Sequence, residues 1–131
     1  MSIINQPKKP HGELMLQTIA MPNETNINGD IFGGWLLSQM DIGGGILAGR
    51  RCKGRNATVA VSEMVFIEPV PVGAIVSCYC KIEKEGRTSV SISVEVWINI
   101  DTTNEPRKVT EGTFVFVAID ENGRPRPLPA I

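Results

Sequence analysis

The sequence predicts an α+β domain, one buried helix packed with a mostly antiparallel sheet. Three observations carry that prediction. Val90, Ile92, Val94, Val96, Ile98 and Ile100 alternate with Ser89, Ser91, Ser93, Glu95, Trp97 and Asn99, the period of a strand with one buried face. Residues 31 to 49 hold a single ionisable group, Asp41, among apolar and small residues, and a helix that is apolar nearly all round belongs inside a core. The strand-like segments after it are joined by short turns, which make antiparallel neighbours. The 131 residues suit one domain, and 42% hydrophobic against 21% charged residues allow a packed core.

Taken in order, residues 1 to 12 read as a flexible tail, Pro- and Lys-rich, that carries the only histidine, His11. Glu13 to Ala20 (ELMLQTIA) reads as a short strand, and Met21 to Asp30 as a dense run of loop-forming residues. The helix follows over Ile31 to Gly49, with Asp30 or Asn28 available as its cap. Ala57 to Ile67 is a strand, as is Ala74 to Lys84, where Val76, Cys78, Cys80 and Ile82 oppose Ser77, Tyr79, Lys81 and Glu83. Glu85-Gly86-Arg87 reads as a hairpin turn into the strand Ser89 to Ile100. Val109 to Ile119 is apolar on both faces around Phe114 to Val117, as a central strand is. The domain so defined is 13–121, and 122–131, with three prolines, reads as an irregular tail.

Several function classes are excluded. A net charge of −1 argues against a general nucleic-acid binder. Cys52, Cys78 and Cys80 are odd in number and form no Cys-x-x-Cys, so neither a disulfide framework nor a zinc knuckle is expected. One histidine in a tail is a poor basis for Ser-His-Asp or Cys-His chemistry, and no metal-ligand cluster is visible. The chain shows no phosphate-binding P-loop and no Gly-x-Ser-x-Gly elbow. No apolar leader opens it, which makes the cytoplasm the expected compartment. The helix is nearly long enough to span a membrane, yet six of its residues are glycine and it holds Ser38, Gln39 and Asp41. An Asp at a bilayer centre costs about 2.5–3.5 kcal/mol, so no membrane span is expected.

Two features of the helix point to chemistry. Asp41 sits among Leu37, Met40 and Ile42, where an unpaired buried carboxylate is expensive; it is either a site residue or a group facing solvent or paired with an arginine. Gly43, Gly44 and Gly45 each cost about 1 kcal/mol relative to Ala in a helix interior, so the backbone there must approach a neighbour closely, either a curved sheet or a ligand. At the helix start, Gly33 and Gly34 put free N–H groups where the helix dipole favours an anion, an arrangement suited to an oxyanion hole as well as to an ordinary loop-to-helix junction.

The run Thr25-Asn26-Ile27-Asn28-Gly29-Asp30-Ile31-Phe32-Gly33-Gly34-Trp35, with Ser38-Gln39-Met40-Asp41, closely resembles the hotdog-fold acyl-CoA thioesterases, in particular the YciA type. Val61 to Pro69 with Val72-Gly73, Gly86-Arg87-Thr88-Ser89, Glu95-Val96-Trp97, Thr113 to Ala118 and Asn122 to Arg126 continue the match in order, over about residues 13 to 128. The resemblance implies the hotdog fold, a long central helix wrapped by a curved antiparallel sheet. It implies hydrolysis of acyl-CoA to free fatty acid and CoA with broad acyl-chain specificity, and no cofactor, coenzyme A being part of substrate and product. By it, Asp41 is the catalytic acid and Asn26 the catalytic asparagine, contributed by opposite subunits of a homodimer, with trimers of such dimers expected. Asp41 would act as general base on water or as nucleophile, with Gly33 and Gly34 as the oxyanion hole. Arg87, Thr88, Ser89 and Arg126 are the candidates for binding CoA, whose phosphates need cations or N–H donors. Residues 50 to 55 form another basic cluster, which also suits a helix C-terminus. A histidine-dependent dehydratase fits poorly, since the core has no histidine. A non-catalytic acyl-CoA sensor is the alternative, and it has no need of an isolated helix carboxylate.

Overall fold

The computed structural model describes residues 9–100 and 105–131. Its elements are β1 (Glu13–Ile19), a 3-10 turn (Pro22–Glu24), α1 (Gly33–Cys52), β2 (Asn56–Phe66), β3 (Ile75–Glu85), β4 (Ser89–Asn99) and β5 (Arg107–Ala118). Five strands form one antiparallel sheet in the order β1-β3-β4-β5-β2. The middle strand is β4, whose Val90, Ile92, Val94, Val96 and Ile98 are all buried. The doubly apolar β5 is interior, flanked by β4 and β2, as a strand of that composition should be. β3 and β4 are joined by a tight turn over residues 86–88, as expected.

The helix lies against this sheet through one stripe: Leu36, Met40, Gly43, Gly44, Ala48 and Cys52, a spacing of three, four and eight residues that keeps one face on the core. The two central glycines are explained by the sheet rather than by a ligand. A Cβ on Gly44 would lie 3.0 Å from Phe116 Cζ, and one on Gly43 would lie 3.3 Å from Cys78 Cβ. The expectation of a helix buried all round fails, because Ile42 and Ile46 on its other side are 50% and 41% exposed. That uncovered apolar side explains the sequence pattern as well as core burial does. The expected cap fails too: the helix starts at Gly33 behind Phe32, with no side chain capping it. It ends at Lys53 in the left-handed region (φ 52°), followed by Gly54 (φ 150°).

Both ends of the chain are tied to the body at described residues. Residues 1–8 of the expected tail lie outside the described residues, but His11 is tied to the sheet. Its backbone N–H donates to Glu95 Oε1 (3.1 Å), and its ring Nε2 lies 3.0 Å from Glu83 Oε2. Glu95 also accepts the Trp97 indole N–H at 2.9 Å and pairs with Lys108 at 3.3 Å, so this buried carboxylate is well satisfied. Residues 122–131 form no regular element, yet they are fixed to the body by hydrogen bonds, as described below. Cys52, Cys78 and Cys80 are free and buried, the role of small apolar residues. Among the described residues, no helix is long and apolar enough to cross a membrane.

Candidate active site

Asp41 lies on the helix stripe next to the buried one. Gly34, Leu37, Ser38 and Asp41 follow each other at helical spacing, and with Thr58 and Val61 of β2 and Phe114 of β5 they line a cleft of about 360 Å³. Asp41 is half-buried rather than sealed in the core, and it is not unpaired: Thr58 Oγ1 donates to its Oδ1 at 2.6 Å. One carboxylate oxygen is therefore held by β2, and Oδ2 meets no donor among the described residues. The sequence did not single out Thr58. In Ala57-Thr58-Val59-Ala60-Val61 it reads as an ordinary β-branched strand residue, and only the placement of β2 beside the helix brings it to Asp41.

Asn26 is exposed in the loop before the helix, and its own side chain shapes that loop. Its Oδ1 accepts the N–H groups of Asn28 (2.9 Å) and Asp30 (3.2 Å), and its backbone N–H donates to Asp30 O (2.7 Å). Gly29 supplies the turn at φ 83°. The amide oxygen is thus used internally, and Nδ2 meets no acceptor among the described residues. A second cleft, about 460 Å³, is lined by Asn26, Asp30, Gly33 and Leu36 together with Phe66 to Val70. Asn26 and Gly33 share this cleft; Gly34 and Asp41 share the other. At about 1.5 Å per residue, the seven residues from Gly34 to Asp41 span about 10 Å. One reacting carbonyl cannot sit at both.

The helix N-terminus suits an anion. Phe32 offers no capping side chain, so the first N–H groups, at Gly33 and Gly34, have no partner from within the helix. Cβ atoms on Gly33 and Gly34 would press on the rings of Phe66 and Phe32, each at 3.2 Å. Larger residues would displace that apolar cover.

The candidate CoA-binding residues fall into two groups. Arg87, Thr88 and Ser89 form the β3–β4 turn, closed by the Gly86 N–H to Ser89 O at 2.8 Å. Arg87 is exposed, and its guanidinium meets no acceptor among the described residues. The turn lies towards the same end of the sheet as the cleft: Thr58 pairs with Phe116, and Phe116 with Val90, just beyond Ser89. Arg126 is instead committed to the backbone. Its Nε donates to Ile119 O (2.9 Å) and its Nη2 to Cys52 O (2.9 Å) and Arg55 O (3.3 Å). The basic run at the helix end is similarly occupied, Arg51 by a two-pronged pair with Glu85 (2.7 and 2.8 Å). The thiols offer no alternative nucleophile. Burial pushes Cys78 and Cys80 up to about 12 and raises Cys52 as well, despite the nearby Arg126 and Arg51. Among the described residues, no cluster of three or more His, Cys, Asp or Glu could hold a metal.

A family model for the thioesterase superfamily matches residues 28–104. The chain is 55% identical over 124 residues to the acyl-CoA thioester hydrolase YciA of Salmonella typhimurium, with 92% of each chain covered. Its fold matches a hexameric broad specificity acyl-coenzyme A thioesterase, crystallised as an aspartate-to-alanine mutant, with a TM-score of 0.88 at 51% identity, over 91% of this chain and 88% of that one. It also matches a hexameric hotdog fold thioesterase of Campylobacter jejuni with a TM-score of 0.84 at 39% identity, over 90% and 91% of the two chains. The helix and its wrapping sheet are thus the hotdog fold, and the chain belongs to the thioesterase superfamily, in its hotdog-fold acyl-CoA thioesterase family of the YciA type.

Proposed function

We propose that this protein hydrolyses acyl-CoA to a free fatty acid and CoA, with broad acyl-chain specificity, at a site built from two copies of the chain. The observation that carries the reading is Asp41, held at 2.6 Å by Thr58 in the wall of a cleft that it shares with Leu37, Val61 and Phe114. Asp41 of one subunit acts as general base. It takes a proton from water as the water oxygen attacks the thioester carbonyl carbon. The carbonyl oxygen becomes an oxyanion, stabilised by the N–H groups of Gly33 and Gly34 at the partner's helix N-terminus. Asn26, beside that N-terminus, positions the thioester through its Nδ2. The carbon–sulfur bond then breaks, and the CoA thiolate leaves and takes up the proton. No cofactor enters these steps.

The two-chain site is supported by the separation of about 10 Å along the helix between Gly34 and Asp41. It is also supported by the face that one chain leaves bare. β2 bonds only to β5, and beside its open edge Val59, Val61, Val65 and Phe66 are exposed, as are Ile42 and Ile46 of the helix. An apolar edge of that kind calls for cover. Joining two sheets along β2 supplies it and makes the dimer the catalytic unit. The hexameric relatives support a trimer of such dimers, and three buried free thiols suit a reducing cytoplasm. Arg87, Thr88 and Ser89 bind the CoA phosphates.

The test is CoA release from short-, medium- and long-chain acyl-CoAs, read with a thiol-reactive dye, for wild type beside Asp41→Asn. The variant keeps the shape and removes the base, so turnover should fall at least a thousandfold with unchanged circular dichroism. Equal turnover in the two proteins would make Asp41 structural and overturn the mechanism. CoA binding without turnover on any chain would favour the non-catalytic sensor.

A further inference from the structure

We infer that the C-terminal segment 124–129 is a clasp that sets the shape of the β3–β4 turn, with Arg126 as its positioning residue. The inference rests on the acyl-CoA reading of Arg87 given above. The sequence of the segment, Arg124-Pro125-Arg126-Pro127-Leu128-Pro129, puts proline at every second position. In extended chain alternate N–H groups point to one side, so the donors at Arg126 and Leu128 face one way and the prolines leave the other way without donors. Both donors are used on the body of the protein. The Arg126 N–H bonds to Ala118 O, and the Leu128 N–H bonds to Arg87 O, each at 2.9 Å. The Ala118 N–H in turn bonds to Thr88 O, also at 2.9 Å. Two carbonyls of the turn, at Arg87 and Thr88, are therefore held by one continuous chain of bonds.

The Arg126 side chain locks this segment down. Its guanidinium ties together the helix C-terminus at Cys52 O, the start of β2 at Arg55 O and the end of β5 at Ile119 O. At the far end, Arg51 Nη1 donates to Pro129 O at 2.7 Å while the same guanidinium holds Glu85, the residue before the turn. Three elements and the tail thus converge on a turn whose own arginine is exposed and meets no acceptor among the described residues. A turn held in advance in its binding shape loses less entropy when the ligand arrives. Arg126 then contributes to CoA affinity through Arg87, without touching CoA.

The experiment compares an acyl-CoA with the same acyl group on N-acetylcysteamine, which lacks the nucleotide. Arg126→Met and Arg126→Lys should both raise KM for acyl-CoA about tenfold, because lysine cannot reproduce the planar fork. Their kcat should stay within about twofold, and kcat/KM on the truncated thioester should not change. In a double-mutant cycle, Arg87→Ala with Arg126→Met should be no worse than Arg87→Ala alone, as expected for residues acting through one path. Leu128→Pro removes the donor to Arg87 O in a segment already extended, together with a side chain packed on the core. Read beside Leu128→Ala, which loses the packing alone, only the proline variant should reproduce the KM effect, even where an Arg126 variant folds poorly. An Arg126→Lys enzyme with wild-type KM would mean direct contact with a phosphate, and would overturn the clasp. So would losses that multiply in the cycle, or equal losses on both substrates. An Arg87→Ala enzyme with unchanged KM would instead sink the reading of the turn as a CoA site.

Discussion

Thr58→Val is the sharpest single test of how the site is built. Valine matches threonine in size and keeps the β-branched shape that the strand favours, so the substitution removes one hydroxyl and little else. What is lost is the 2.6 Å bond to Asp41 Oδ1. A hydrogen bond to a charged group contributes about 1.5–3 kcal/mol net, and because Asp41 is only half-buried, water replaces part of it. The lower end of that range is therefore the better guide. At about 1.4 kcal/mol per factor of ten, the orientation lost from the carboxylate should lower kcat about tenfold, with about a hundredfold as the ceiling. KM for acyl-CoA should move less than twofold, since the proposed CoA contacts are made by Arg87, Thr88 and Ser89 and not by Thr58. Thr58→Ser keeps the donor and should retain at least a third of the wild-type kcat. The assay is steady-state CoA release on one medium-chain acyl-CoA, with melting temperature and oligomeric size checked for each variant. A valine enzyme as fast as wild type, or a serine enzyme as slow as the valine one, would refute the claim that this hydroxyl orients the base.

Two further outcomes follow from the packing and the ion pairs. Gly44→Ala gains about 1 kcal/mol of helix propensity, but its Cβ would press on Phe116 Cζ at 3.0 Å and Cε1 at 3.1 Å, with Phe116 itself 1% exposed. Overpacking costs about 1–3 kcal/mol, so the net is a destabilisation of about 1 kcal/mol, read by urea denaturation; a stabilised variant would show that the sheet yields. The Arg51 fork holds the Glu85 carboxyl below its ordinary 4.5. A lowered folded value means stability that is present above the unfolded value and lost as pH falls through the folded one. Glu85→Gln should therefore melt below wild type at pH 7, with the gap closing as pH drops below 4.5. A gap that is independent of pH would mean that the pair adds nothing electrostatic.

Much of this was legible in the residues. The strict alternation in β4 and the weaker one in β3 reported both strands and the turn between them, because a sheet with one buried face imposes period two. Gly43 and Gly44 announced a close approach, and the surface they approach proved to be Cys78 and Phe116. Composition misled where one sequence pattern serves two environments. An apolar helix reads as core whether its second side meets its own sheet or lies bare beside an open strand edge, as Ile42 and Ile46 do. Pro125, Pro127 and Pro129 forbid regular structure on one side of the chain, while the donors between them fasten the other. Thr58 and the backbone role of Arg126 were invisible, since each depends on a partner far away in sequence, 17 positions for Thr58 and 74 for Arg126 at Cys52.

The packing of the helix and the proposed chemistry meet in one constraint. Glycine at 43 and 44 lets the helix backbone drop onto β3 and β5, and that contact fixes which stripe comes next around the helix. The next stripe carries Asp41, and its neighbour across the cleft is β2, the one strand besides β1 with an open edge. Asp41, the proposed base, is thereby placed at a border that a single chain leaves uncovered, while Gly33 at the N-terminus of the same helix lines a different cleft about two turns away. A helix of this length cannot bring its own N-terminus to its own Asp41. An antiparallel copy can bring its N-terminus there, and the exposed valines of β2 give that copy a surface to bury. In the proposed mechanism, then, dimerisation does more than stabilise an apolar edge: it brings the oxyanion donors to the base.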